Sequence, residues 1–244
     1  MPSPELPEPL DVVAVGAHPD DVEISCGGTL ARLVQQGYRV GILDLTDGEP
    51  TPGSAGPDVR LEEARRAAEV LGVHERVTLD LPNRRLFDSY EARVKVATWL
   101  RRWRPRLVIG FGDKTPLASP DHWQAMQITD AAVFYARLTK WDEQFENTPP
   151  HTVERQLYFS LAFSSLHAPV SAGHVVVDIE ATLDQKLQAV RCYQTQFPPA
   201  KEYIFERIHA FALQQGFAAG LAAGELFLSP RTLACRDLVQ TVLL

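Results

Sequence analysis

Val12-Val13-Ala14-Val15-Gly16-Ala17-His18-Pro19-Asp20-Asp21 is the stretch whose reading decides the fold. Four consecutive apolar residues that stop at a glycine have the pattern of a strand buried on both faces, as in a parallel sheet, rather than the alternation of a half-exposed one. A polar loop follows. From Gly27 the apolar residues Leu30, Leu33 and Val34 fall at helical spacing until Gly37 closes the segment. Strand, loop and helix make up the opening unit.

Outward from that unit the alternation continues. Residues 40–45 read as strand, 60–71 as helix, 77–81 as strand, 90–103 as helix broken off at Pro105, and 107–111 as strand. A helix is expected over 121–138, then a polar connection to about residue 153 with a Pro149-Pro150 stop. Strands are expected at 156–162 and 175–178 and a helix at 180–193, while the tail over 203–227 alternates helix-like Ala, Leu and Phe with Gly216, Gly220 and Gly224. Strands alternating with helices imply right-handed crossovers and an α/β fold: an open, mostly parallel, Rossmann-like sheet with helices on both faces. A chain of 244 residues with 45% hydrophobic side chains can bury one core, so residues 1–244 are expected to form a single domain. Trp99 and Trp103, four apart on one helix, read as core.

Twenty-four basic against 31 acidic residues leave a net charge of −7, which repels phosphate backbones and acidic membranes; neither nucleic acid nor a membrane is an expected partner. No stretch approaches the ~20 apolar residues of a membrane span. The amino terminus, with acidic residues and prolines in place of a basic start and an apolar run, does not read as a signal peptide. Cys26, Cys192 and Cys235 are odd in number and lack metal or redox spacing, which suits a reducing compartment; a cytoplasmic location is expected.

Chemistry gathers in the loops after the first four strands: HPDD, TDGEPTPGSAGPD, PNRRLFDS and GDKTPLASPDH. In open parallel sheets ligands sit at the carboxyl ends of the strands, where these loops emerge, so all four should share one rim. His18 and Asp21, three apart on a turn that enters a helix, can aim at one point. Zinc accepts imidazole nitrogen and carboxylate oxygen, and a catalytic zinc takes three protein ligands and keeps a position open. His122, about a hundred residues further on, is the candidate third ligand, with Asp121 placed to orient an imidazole. A helix-capping role for these Asp residues is the competing explanation.

With both loops in view the chain resembles the PIG-L/LmbE-like superfamily of zinc-dependent N-deacetylases. The resemblance rests on His18-Pro19-Asp20-Asp21 followed by Glu23 and Gly27-Gly28-Thr29-Leu30, and on Pro120-Asp121-His122. It extends to Arg60-x-x-Glu63, Leu81-Pro82-Asn83-Arg84, Val177-Asp178-Ile179 with Lys186, Gln196-Phe197 and Ala223-Gly224-Glu225-x-Phe227. Within the superfamily it is most similar to the bacillithiol-pathway enzymes that remove acetate from N-acetylglucosaminyl malate. The resemblance implies His18, Asp21 and His122 as metal ligands, Asp20 as general base, Zn2+ or another divalent transition metal as cofactor, an amino-sugar small molecule as substrate, and a homo-oligomer, hexamers included. Arg60 either clamps a substrate hydroxyl pair or carboxylate or pairs with Glu62 or Glu63, and the resemblance favours substrate.

Three departures stand out. The superfamily's usual HPDH reads Ser119-Pro120-Asp121-His122 here, and serine donates a hydrogen bond but carries no positive charge near neutral pH. Ser119 is therefore the expected substrate-side donor, with His174 a candidate to replace the absent imidazole; His74, His151, His167 and His209 have no carboxylate pattern beside them. Asn83 stands where the nearest relatives often carry Asp, and Glu206-Arg207-Ile208-His209-Ala210 has fewer arginines than their version. A metal-binding protein without hydrolytic activity, suggested by Ser119, is the alternative function. A nucleotide-binding α/β protein is a second, although no GxGxxG or GxxxxGK[ST] follows any strand.

Overall fold

A computed structural model describes residues 6–115, 117–161 and 173–234. In chain order the elements are β1 (Val12–Gly16), α1 (Asp21–Gln35), β2 (Val40–Asp44), α2 (Pro57–Leu71), β3 (Glu75–Thr78), α3 (Tyr90–Trp103) and β4 (Leu107–Phe111). Then come α4 (Asp121–Ala136), β5 (Arg155–Phe159), β6 (Gly173–Asp178), α5 (Leu183–Arg191), α6 (Tyr203–Phe217) and β7 (Gly224–Ser229). The seven strands form one sheet in the order β3-β2-β1-β4-β5-β7-β6. β1 pairs in parallel with both β2 and β4, from Val12 opposite Val40 and Leu107, and every residue of β1 is buried, which is why it reads as an unbroken apolar run.

The chain moves from β1 through β2 to β3 and then crosses back to place β4 on the other side of β1. Helices α1, α2 and α5 pack together, as do α3 and α4, the grouping that right-handed crossovers produce when their direction reverses. That reversal opens a crevice between the carboxyl ends of β1 and β4, the position at which open α/β sheets bind ligands. No helix of the described residues is long and apolar enough to cross a membrane.

The alternating half of the fold follows the sequence expectation, with boundary shifts. β3 runs over Glu75–Thr78 instead of 77–81 because its ladder to β2 begins at Gly41–Glu75 and ends at Asp44–Thr78. Trp103 is 1% exposed and its ring centroid lies 5.0 Å from that of Trp99, in the core as expected. Cys26 and Cys192 are free; Cys235 and His167 lie outside the described residues.

The tail departs from its helical reading. α6 ends at Phe217, and Gly224–Ser229 forms β7, which runs antiparallel to both β5 and β6. The tail glycines mark a close approach and not a helix: a Cβ on Gly216 would lie 2.6 Å from the backbone of Ala223, and one on Gly224 would lie 2.4 Å from Val176. Any side chain there would push α6 off the sheet.

α1 also differs. It begins at Asp21, not Gly27, and is kinked at Cys26, whose backbone leaves helical geometry (φ −143°, ψ 18°). A kink breaks the ladder of amide hydrogen bonds and strands the next amides without helical partners. Glu225 of β7 supplies those partners: its carboxylate accepts from Gly28 N at 3.0 Å and from Thr29 N at 2.7 Å, and Lys186 of α5 neutralises it at 2.6 Å. Gly28 admits no side chain, since a Cβ would meet Ile179 at 2.9 Å. The Gly27-Gly28-Thr29, Ile179, Lys186 and Glu225 signatures thus belong to one buried joint.

Candidate metal centre and active site

The turn after β1 aims His18 and Asp21 by backbone geometry. His18 N donates to Asp21 Oδ2 at 2.8 Å, Asp21 N donates to His18 O at 3.3 Å, and α1 starts immediately. His122, in the first turn of α4, arrives from the far side of the crevice. His18 Nδ1 lies 3.3 Å from Asp21 Oδ2, and His122 Nε2 lies 3.2 Å from Asp21 Oδ1. One ligand atom from each of the three residues falls within 4.8 Å of the others. A tetrahedral zinc about 2.0–2.1 Å from each donor spaces its ligand atoms about 3.3 Å apart; each imidazole nitrogen stands at about that separation from an Asp21 oxygen, and the donor types suit such an ion.

The electrostatics fit a cation as well. Burial opposes the charge on His18, yet Asp21, with Asp121 and Asp20 behind it, raises its pKa to about 10. Burial acts against ionised Asp21, but His122 and His18 outweigh it and hold its carboxyl well below the usual range. Protons on imidazole thus occupy the position that a metal's charge would take.

Asp20 stands beside the ligands with φ at 114°, a left-handed backbone that a non-glycine residue adopts at a cost of roughly 1–3 kcal/mol. Arg60 holds it there. Its Nη2 donates to Pro19 O at 2.5 Å and to Asp20 Oδ2 at 3.1 Å. Burial pushes the Asp20 carboxyl up to about 6, against the pull of Arg60. Arg60 itself is 1% exposed, so it meets the site through Asp20 and not as the free clamp on substrate that its place at a helix start suggested. Glu63, which accepts from Thr195 N at 2.9 Å and Thr195 Oγ1 at 2.5 Å, lies 3.8 Å from Arg60 Nη1 and completes that support.

Asp121 faces His18: its Oδ2 is 3.3 Å from His18 Nε2 and accepts from Arg84 N at 2.6 Å. Burial opposes its charge, but these hydrogen bonds keep its carboxyl below the ordinary value. Ser119 sits before α4, where its Oγ accepts from Asp121 N at 3.3 Å and retains its own proton to donate. His174 is the second residue of β6, with β5 and β7 between that strand and β4. Its neighbour Val175 lines a cavity with Val12, Leu107 and Arg155, the first residues of β1, β4 and β5, which puts this part of β6 at the end of the sheet away from the rim.

Four contributions are absent from the sequence expectations: the Arg84 amide on Asp121, Thr195 as the partner of Glu63, whose pairing with Arg60 was one of the two expectations, Thr115 at 3.1 Å from His122 Nδ1, and Phe111 stacked on the His122 ring at 4.7 Å. Only Glu63, three residues after Arg60, had a local signal. Beside the centre an open cavity of about 540 Å³ is lined by Asp47, Glu49, Pro50, Asp80, Leu81, Pro82, Asn83, Arg84 and Arg85. Glu49 Oε1 is buried there without a hydrogen-bond partner, and Asn83 Nδ2 donates to Glu49 O at 2.7 Å.

Comparison with known proteins agrees with this geometry. Residues 13–133 match the family model described as PIG-L: GlcNAc-PI de-N-acetylase. The chain is 32% identical to the diacetylchitobiose deacetylase of Thermococcus kodakarensis, over 86% of this chain and 79% of that one. It is 26% identical to a 4-oxalmesaconate hydratase of Pseudomonas putida, over 94% of this chain and 88% of the other. The crystal structure of the conserved protein TT1542 from Thermus thermophilus superposes with a TM-score of 0.81 at 34% identity, covering 94% of this chain and 98% of that one. A mostly parallel α/β sheet with a His-Asp-His cluster at its switch point defines an α/β protein whose rim can hold a metal ion. The chain belongs to the PIG-L family of deacetylases.

Proposed function

We propose that the chain is a metal-dependent amide hydrolase that removes an N-acetyl group from an N-acetylglucosamine-containing small molecule, with residues 1–244 acting as one catalytic domain. The observation that carries this reading is the convergence of His18, Asp21 and His122 on one point with a strained, buried Asp20 beside it. Those three residues would hold the ion. Zinc suits the donors, and iron or manganese is compatible with them. When bound, the ion polarises an amide carbonyl and lowers the pKa of a water it holds from 15.7 to about 7.

Asp20 is the general base. A carboxyl at about 6 is ionised at neutral pH yet basic enough to take a proton from the attacking water, and Arg60 keeps it aimed. As the C–O bond forms and the C–N bond breaks, Asp20 returns that proton to the departing amine, giving acetate and a free amino sugar. Ser119 Oγ–H is the donor on this chain for charge developing on the carbonyl oxygen. The cavity lined by Asp47, Glu49 and Asn83 offers acceptors and an amide to sugar hydroxyls. It adjoins the centre through Arg84, whose amide holds Asp121.

The relative that acts on diacetylchitobiose makes that disaccharide the first substrate to try, with N-acetylglucosaminyl malate, the bacillithiol-pathway compound, beside it. The test is amine release from both and from N-acetylglucosamine, using zinc-loaded protein, chelated protein and chelated protein with zinc restored. Release that chelation abolishes and zinc restores is expected. Protein that retains zinc but frees no amine from any of the three supports the second reading, a metal-binding homologue without hydrolytic activity, which Ser119 favours. A cytoplasmic homo-oligomer, up to a hexamer, is the proposed assembly, and light scattering on the eluted protein checks its mass.

A further inference from the structure

The two imidazoles of the centre are supported unequally, and the weaker support has no precedent in the sequence motifs. Each ring turns one nitrogen toward Asp21: Nδ1 of His18 at 3.3 Å and Nε2 of His122 at 3.2 Å. Each therefore has a second nitrogen to satisfy. His18 Nε2 has the Asp121 carboxylate at 3.3 Å, whereas His122 Nδ1 has the neutral hydroxyl of Thr115 at 3.1 Å. An imidazole binds a cation through a lone pair on one nitrogen only when the proton sits on the other, and the acceptor facing that other nitrogen decides where the proton stays.

We propose that Thr115 is a positioning residue for the metal centre: its Oγ1 accepts the Nδ1–H of His122, fixing the tautomer that leaves the Nε2 lone pair directed at the cation. This rests on the metal-centre reading above. The local structure is built to deliver that hydroxyl. Thr115 lies in the loop between β4 and α4, where its carbonyl accepts from Ala118 N at 3.2 Å and closes a turn that contains Leu117 at φ 62°. Phe111, the last residue of β4, stacks on the His122 ring with the planes 17° apart, so the ring's tilt is set by stacking and its rotation within the plane by Thr115. His122 is 5% exposed, which leaves water little access to compete for Nδ1.

The experiment measures zinc affinity of the full chain by competition with a chromophoric chelator, for wild type, Thr115→Val, Thr115→Ala and Thr115→Ser, together with thermal unfolding of each metal-free protein. Thr115→Val and Thr115→Ala are expected to bind zinc about 10- to 100-fold more weakly, the range measured for lost outer-shell partners of ligating histidines. Thr115→Ser is expected to stay within a few-fold of wild type, and the metal-free melting temperatures to stay level. Wild-type zinc affinity in both Thr115→Val and Thr115→Ala overturns the inference while leaving the metal centre intact. Weakened binding by Thr115→Ser equal to that of Thr115→Val also overturns it, because the lost methyl and not the hydroxyl would then matter. A wild-type protein that binds no zinc overturns the metal-centre reading itself and this inference with it.

Discussion

Two of the groups of buried ionisable residues in the described part of this protein are built to opposite ends. In the joint between α1, α5 and β7, one carboxylate, Glu225, meets one ammonium, Lys186, and two backbone amides; every oxygen has a donor and the charges cancel. At the rim, three carboxylates, Asp20, Asp21 and Asp121, face one guanidinium and two imidazoles that lend positive charge only while protonated. The first group is closed and gains nothing from a further ion. The second carries an excess of lone pairs on one point, which a divalent cation relieves. Burial alone does not separate structure from chemistry, since Lys186 and Glu225 are as hidden as Asp21 and His122. The balance of donors to acceptors does.

Three measurements sharpen or break this contrast. The largest effect belongs to Asp20→Asn, which keeps the side chain's shape and its place beside Arg60 but removes the proposed base. Amine release should fall about 10²- to 10⁴-fold, while zinc content measured on the same sample stays at the wild-type level. Loss of zinc along with activity would move Asp20 from base to ligand.

Next in size is Lys186→Met, which leaves Glu225 buried without its cation. Removing one partner of a buried pair costs about 3–5 kcal/mol, visible as a lower denaturant midpoint, and Lys186→Met with Glu225→Gln should recover part of it. A single variant as stable as wild type would show that the two amides alone satisfy Glu225, and the closed-pair description would fail.

The smallest effect is linked protonation at the rim. With His18 raised to about 10 in the metal-free protein, that ring is protonated at pH 7 and must lose its proton to bind an ion. The sign follows: zinc affinity rises with pH and falls as pH drops, tenfold per unit for each proton released, until pH passes about 10. Calorimetric zinc titrations at pH 7 in buffers of different ionisation enthalpy should report at least one proton leaving per ion bound. A heat that does not depend on the buffer would mean that His18 is neutral before the metal arrives.

How much of this was legible differs by region for physical reasons. The run from Val12 to Val15 and the helices over Arg60–Leu71 and Tyr90–Trp103 declare themselves because a parallel sheet buries β1 on both faces and the helices on one. β7 did not, because its glycines serve contact with α6 and Val176, a reason that exists only once those elements have met. The start of α1 was hidden because Asp21 and Glu23 are polar residues in a buried turn, contrary to the usual amphipathic pattern. At the site, His18, Asp20 and Asp21 are neighbours in sequence and could be read as one group, and His122 came from the loop logic of the open sheet. Arg60 was found, but its inward orientation was not.

Order of elements from β1 to α5, the mostly parallel character of the sheet and the identity of the ligand-type residues were determined by the sequence itself, since they follow from local hydrophobic period and from which side chains carry lone pairs. Only the tertiary structure decided which partner each group keeps: that Arg60 grips Asp20, that Thr115 and Asp121 take the outer nitrogens of the two imidazoles, and that Glu225 caps a broken helix from the other end of the chain. Hydrogen bonds and ion pairs act over about 3 Å, and residues separated by tens or hundreds of positions come that close only after the sheet has packed.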